Sequence, residues 1–330
     1  MRRRIISFIY ILVLGISLGI NAYPTWAMDI LNLGHAFPPE SSVGRGAEHF
    51  AELVRTKSNG KVIIKVFPSG KLGSTSQLME MVKNGSIDQS IIPTGLLATL
   101  DARVEVLELP FLFFSYNEAD EFLEGKVGKS ILRILSGKGV LGLCYFELGF
   151  LGIASKERPI NKVEDYKGLL IRIGSSNMVE SSIKLLGAQP IRLPMSEVYP
   201  ALQRGLADAT LTTVSSYRFF KYYEILPFLS LTNHFYVSYI LIMNKAKLDH
   251  LTQKFKKILY EAAMESSKYQ RDLSRQAEEE ILKNMEDKGV KVVRAPDKKS
   301  MKKSVQPIYK NKKESLGCKD CKMFPWCCLW

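Results

Sequence analysis

The chain has 330 residues, 46% hydrophobic and 24% charged, with mean hydropathy close to zero. That is the balance of a soluble globular protein with core enough for one large domain or two ordinary ones. The net charge of +13 sits at the ends: Arg2, Arg3 and Arg4 supply +3, and residues 288–322 set twelve Lys or Arg against Asp297, Glu314 and Asp320, leaving +1 for residues 28–287. A body so nearly neutral argues against nucleic acid as a partner, and the basic end reads as a solvated tail.

The first 27 residues read as a secretory signal peptide. Three arginines precede the apolar run Ile5–Ile20, and Thr25 and Ala27 place small residues before a cut at Met28. The apolar run is short for a membrane span, which favours a cleaved signal and an exported, periplasmic protein.

Beyond the cut, strand and helix signals alternate. "ILNLGHA" reads as a strand, followed by a helix with Val43, Ala47, Phe50, Ala51 and Val54 on one face, stopped by "SNG". "KVIIKVF" alternates as a strand, "STSQLMEMVKNG" is a capped helix closed at Asn84-Gly85, and "SIDQSII" is a strand again. Residues 116–136 predict a helix and "VLGLCYF" a strand, in which Cys144 reads as a buried thiol.

The pattern resumes with strand "LLIRIG", helix "SSNMVESSIKLLGA", strand "QPIRL" and helix "SEVYPALQRG", capped by Ser196 with Pro200 in its first turn. "YVSYILIMN" predicts a long strand. Residues 246–288 then run without Gly or Pro, predicting one helix of about forty residues and roughly 60 Å. Such alternation argues for α/β layers with mostly parallel strands in two lobes, and a helix of that length spans both.

Within this frame one residue is out of place. Arg172 lies in the apolar run Leu169–Ile173, at the carboxyl end of its strand and just before a helix start carrying Ser175, Ser176 and Asn177. A guanidinium keeps its charge, so burying it requires an anion. Ligands of open α/β sheets bind outside the carboxyl ends of strands, and helix N-termini favour anions. Arg172 therefore marks a carboxylate site held by paired hydrogen bonds, unless Glu180 or Glu197 neutralises it internally.

Several stretches in order, "FAELVRTKSNGKVIIKVFPSGKLGS", "LPFLF", "RPINKVEDYKGLLIRI", "LGAQPIRLPMSEVYPALQRGLAD" and "LTNHFY", resemble a known family over roughly residues 28–310. It is that of the extracytoplasmic solute receptors of tripartite ATP-independent periplasmic (TRAP) transporters, of the C4-dicarboxylate-binding type. The resemblance implies a two-lobed, flytrap-like periplasmic-binding-protein fold with a long bracing helix. Lobe I would hold residues 28–150 plus about 236–265, lobe II residues 151–235 plus about 266–310, and residues 311–330 an atypical Cys/Lys-rich tail.

It further implies a small-molecule carboxylate as ligand, membrane permease subunits as partners, no cofactor, and a monomer. Arg172 stands where the family's arginine binds the ligand carboxylate, and Met195 where relatives often carry a pocket-lining Phe. Closure would hinge near residues 149–152 and 234–238. Two positions depart: Leu151 follows "GF" where many relatives have arginine, and Thr212 replaces an asparagine that faces the ligand. Both departures imply a less polar pocket, suited to a monocarboxylate with an apolar body over a dicarboxylate. Thr94, ending "SIIPT", is the candidate wall from lobe I.

Rival readings find less support. "GISLG" at 15–19 lies inside the signal, "GKVGKS" at 125–130 has Leu123 where a phosphate loop needs its first Gly, and His35, His49, His234 and His250 form no metal-ligand spacing. An enzyme is not indicated. A sensor serving a membrane kinase, or a degenerate relative that binds nothing, would share the fold. Cys318, Cys321, Cys327 and Cys328 crowd the end with spacing wrong for zinc, which suggests an oxidised tail, or a shifted reading frame.

Overall fold

A computed structural model describes residues 28–174 and 176–315. The expected signal peptide and the terminal cysteines lie outside the described residues. Among the described residues nine strands make one sheet: β1 (Asp29–Gly34), β2 (Val62–Phe67), β3 (Gln89–Pro93), β4 (Val140–Ser155), β5 (Leu170–Ile173), β6 (Gln189–Arg192), β7 (Ala209–Thr212), β8 (Phe228–Asn244) and β9 (Lys291–Val293). The helices of the first half are α1 (Ser42–Lys57), α2 (Thr75–Asn84), α3 (Thr94–Leu97), α4 (Tyr116–Glu124) and α5 (Lys126–Ile134). Those of the second half are α6 (Asn177–Leu185), α7 (Met195–Gln203) and α8 (Val214–Phe219). The chain ends with α9 (Lys245–His250), α10 (Gln253–Asp287), α11 (Lys298–Ser304) and α12 (Gln306–Ser315).

The strand order is β2-β1-β3-β8-β4-β7-β5-β6, with β9 against β8. The outer groups are parallel, as the alternation predicts, but β3–β8, β8–β4 and β4–β7 pair antiparallel. The reason is topological. β4 carries the chain from the first half into the second and β8 carries it back, so the two must run in opposite directions. Each belongs to both halves. The strands expected at 140–146 and 236–244 are therefore only the lobe I ends of much longer ones.

At the crossing the β4–β8 ladder is irregular. Register shifts fall between Glu147 and Gly149 and between Leu151 and Ile153, and four residues of β8, Leu231–His234, have no register partner opposite Gly152. Gly149 takes φ 94° and Asn233 φ 50°. An added Cβ on Gly149 would lie 2.8 Å from the Tyr116 hydroxyl, so glycine is required there for both conformation and space. The β4 irregularities fall on the segment 149–152 expected to act as a hinge, whereas the β8 bulge precedes the expected 234–238 and meets it only at His234.

Helix ends differ from expectation where capping, rather than Gly or Pro, sets them. The helix expected over 116–136 is interrupted at Gly125, which is extended and starts α5. The forty-residue helix is two: the Asn244 side chain accepts from Lys247 N, Thr252 accepts from Phe255 N, and the chain turns between α9 and α10. The 35 residues of α10 still span roughly 50 Å. Leu259, Ala262 and Ala263 join the core under lobe I, while Ile281, Leu282 and Met285 join the core under lobe II. α7 begins at Met195 after Pro194, not after Ser196, which leaves Pro200 in its second turn. The tail boundary drawn at 311 falls inside α12, whose Ile308 and Tyr309 are buried in the main core.

Where α10 passes the crossing, side chains tie it to β4. Glu147 N donates to Gln270 Oε1 at 2.9 Å and Gln270 Nε2 returns a bond to Glu147 O at 2.8 Å. Arg275 reaches Asp120 at 2.7 Å and the fully buried Glu147 at 2.9 Å, and Tyr236 donates to Glu147 at 2.6 Å. Arg271 pairs with Glu124. These partners come from α4, β4, β8 and α10, so one ionic cluster braces the crossing.

Candidate functional site

A cavity of about 1300 Å³ opens beside the crossing strands. Its walls come from both halves: Leu96 and Glu108 from the first, Arg172, Thr212 and Tyr222 from the second, and Ile308 of α12 at the rim. The carboxyl ends of β3, β5 and β7 all point toward it, as the rule for open α/β sheets requires.

Arg172 is the third residue of β5 and only 7% exposed. Its Nε and Nη2 donate to the Leu193 carbonyl at 3.1 and 2.7 Å, which fixes the guanidinium plane against the end of β6. Neither carboxylate considered from the sequence neutralises it. Glu180 pairs with Lys184 at 2.6 Å and with Arg192, and among the described residues no carboxylate pairs with Arg172. Burial disfavours its charged form, and the Tyr222 phenolic oxygen offsets this only in part. A charge that cannot be shed is thus left desolvated in the wall of a cavity, with the neutral Leu193 carbonyl and the Tyr222 phenol near it.

The start of α6 adds donors beside it. Gly174, Ser176 and Asn177 line the cavity, and Ser176 caps the helix by accepting from Val179 N at 3.3 Å. Ser175 lies outside the described residues. Thr212 ends β7, opposite Gly152 of β4, and its hydroxyl donates to the Thr213 carbonyl at 3.0 Å. It lines the cavity together with Leu151, which pairs with Phe235 across the crossing.

Two other expected positions fare differently. The side chain of Met195, at the start of α7, lies outside the described residues. Thr94 is buried and does not itself line the cavity, whereas its neighbours Pro93 and Gly95 do. Its hydroxyl lies 2.6 Å from Glu108 Oε1 and 3.1 Å from the Ser238 carbonyl. Thr94 thus supports the wall rather than forming it.

Glu108 is the residue that sequence reasoning missed. It ends the 3₁₀ segment Ala102–Glu108 and lines the cavity from lobe I. Among the described residues it has no ion pair. Burial pushes its carboxyl above the ordinary glutamate range, and bonds from Thr94 and the Gly95 backbone N–H oppose that rise. A signal was there: Glu108 is a lone acid in "VLELPF", as anomalous as Arg172 in "LLIRI".

The cavity also holds hydroxyl-bearing residues beyond the patch of Leu151 and Thr212. Those two residues do make their patch apolar, but Thr75, Ser76 and Thr99 line the first half of the cavity and Thr213 and Ser216 the second. At the rim, Lys312 of α12 pairs with Glu105.

Two half-sheets joined by crossing strands, with a cation in the wall of the intervening cavity, make a two-lobed solute-binding receptor. Residues 33–315 match the bacterial extracellular solute-binding protein family 7. The chain is 32% identical over 284 residues to the 2,3-diketo-L-gulonate-binding periplasmic protein of Escherichia coli strain K12, covering 86% of this chain and 87% of that one. It is 30% identical to the C4-dicarboxylate-binding periplasmic protein of Rhodobacter capsulatus, over 87% of each. The sugar acid binding protein of Advenella mimigardefordensis strain DPN7T, solved in complex with galactonate, matches with a TM-score of 0.78 at 33% identity. That match covers 88% of this chain and 95% of that one. The chain belongs to family 7 of the bacterial extracellular solute-binding proteins, the solute receptors of TRAP transporters. The two-lobed α/β fold with a long bracing helix, expected from the sequence, is the fold observed.

Proposed function

We propose that this chain is an exported receptor that captures an organic acid by its carboxylate and delivers it to the membrane permease of a TRAP transporter. One observation carries the reading: Arg172 is a buried cation in a cavity wall without a carboxylate partner among the described residues. A ligand carboxylate supplies that partner, held by charge-assisted hydrogen bonds in a desolvated site. Thr212 and Leu151 border the same patch, and Met195 is assigned to it on family resemblance alone. The relatives named for 2,3-diketo-L-gulonate and C4-dicarboxylates, and the neighbour holding galactonate, support an acid as ligand.

Capture proceeds by closure about the irregular crossing. The ligand meets Arg172 on lobe II, and lobe I moves onto it as the bulged segments of β4 and β8 absorb the backbone change. Closure expels water and strengthens the ion pair. The signal peptide is removed before Met28, and the ligated receptor docks on the permease as a monomer.

The test is thermal unfolding of the exported protein against panels of mono- and dicarboxylates, with neutral sugars as controls. A ligand that binds only the folded form raises the melting temperature with concentration. A rise with acids that is lost in Arg172→Ala supports the reading. A cooperative transition that no acid moves overturns it.

A further inference from the structure

We propose that Glu108 reads a hydroxyl group on the bound acid, so that the receptor accepts hydroxy-carboxylates and refuses dicarboxylates. This rests on the carboxylate reading of Arg172 and deepens it. A buried cation and a half-buried acid line one cavity from opposite halves, and neither pairs with an opposite charge among the described residues. They select opposite ends of a ligand.

The geometry around Glu108 limits what it can do. Thr94 Oγ1 occupies Oε1 at 2.6 Å, and Gly95 leaves room for Oε2: an added Cβ there would stand 3.1 Å from it. The nearest acid of the same segment, Glu105, pairs with Lys312, so that cation serves the rim. Tyr239, on the same wall, has its hydroxyl pushed up to about 12, by burial first and by the charge of Glu108 second. A carboxylate in this setting has unused lone pairs and no cation to share them.

A ligand hydroxyl donates to such a group and costs no charge separation. A second ligand carboxylate, by contrast, would face a like charge in a site of low dielectric, the arrangement that excludes wrong partners. A plain alkyl chain would leave Glu108 desolvated without a donor, the situation that makes a polar site reject the analogue lacking its hydroxyl. Thr94 is a positioning residue in this scheme, because it acts only through Glu108.

The test uses the protein purified after export of the full chain, with calorimetric titration of three probe series: aldonates of four to six carbons, alkanoates of the same lengths, and succinate. The expected result is that at least one aldonate binds tenfold or more tightly than its alkanoate and than succinate. Glu108→Leu collapses that preference. Glu108→Gln keeps an acceptor but removes the charge, so aldonate binding survives in part and succinate gains fivefold or more. If Glu108→Leu does not fold, Glu108→Gln alone decides through the succinate ratio. Thr94→Val narrows the aldonate-to-alkanoate ratio without altering alkanoate affinity.

Equal binding of aldonate and alkanoate by the wild type, or a preference unchanged in both Glu108 variants, overturns the role of Glu108. The carboxylate reading stands in that case, provided Arg172→Ala still abolishes binding. Absence of binding by all three series removes both.

Discussion

Two arginines in this molecule, Arg275 half-buried and Arg172 buried, sit in opposite circumstances. Arg275, on α10 at the crossing, lies between Asp120 and Glu147 and stacks over the Tyr116 ring at 4.4 Å. Arg172, in the cavity wall, has the Leu193 carbonyl and no carboxylate among the described residues. Burial acts on both, but at Arg275 the bonds to Asp120 and Glu147 outweigh it and the guanidinium holds its proton more tightly than usual. At Arg172 burial prevails. The first charge is compensated inside the chain and braces the crossing. The second is left for something that arrives from outside.

Breaking the brace gives the largest expected effect. Arg275→Ala strands Glu147, which has no exposed surface, with only the Tyr236 hydroxyl. Removing one partner of a buried pair costs about 3–5 kcal/mol, and urea unfolding should show that loss. A midpoint equal to wild type would mean that the brace is dispensable.

Arg172→Ala comes next and acts on a different quantity. Truncating one side of a buried charge pair costs about 2–5 kcal/mol of binding, or roughly 30-fold or more in Kd. Unliganded stability should hardly fall, because no internal pair is broken. If Arg172→Ala instead destabilises the free protein as much as Arg275→Ala does, the two arginines are not opposites and Arg172 is a structural residue.

A third kind of buried base sharpens the contrast, since histidine can shed its charge. His35 and His234 are fully buried, and desolvation lowers them to about 4 and about 3, with a bond from the Phe37 N–H at His35 acting only as a minor influence. Unfolded histidines take up protons below about pH 6.5, and these do not until the pH is far lower. Stability from His35 is therefore present above pH 6.5 and lost as the pH falls toward 4, by on the order of 3 kcal/mol. Urea midpoints from pH 7 to 4 should fall, and His35→Gln should flatten part of that slope. A midpoint constant with pH would contradict the buried neutral state.

The contrast also explains what the sequence revealed. Arg172 was legible because a charge inside a five-residue apolar run is a local anomaly, and its role follows from strand direction. The brace was not legible. Glu147 and Arg275 are far apart in the chain, and each looks ordinary among its neighbours. For the same reason β4 and β8 read as short: Glu147 resembles a strand end until the Tyr236 hydroxyl bonded to it is known, and His234 until its burial is known. Helix breaks at Leu251 and Thr252 escaped notice because caps, not Gly or Pro, impose them. Glu108 carried the same kind of anomaly as Arg172, but in a 3₁₀ segment with no periodic pattern around it to expose the misfit.

The smallest expected effect tests the energetic premise directly. Arg172→Met keeps the length of the side chain and removes its charge. The variant gains by relieving a desolvated cation and loses the two hydrogen bonds to Leu193 O, a neutral acceptor. Desolvating an ion costs more than leaving one carbonyl unsatisfied, so the free protein should become more stable by about 1 kcal/mol. Differential scanning calorimetry without ligand reads that gain, and titration with the ligand reads the loss of binding in the same variant. A site selected for capture rather than for stability should show both signs at once. Lower stability together with lost binding would mean that the Leu193 contact, and not a waiting anion, is what keeps an arginine in this strand.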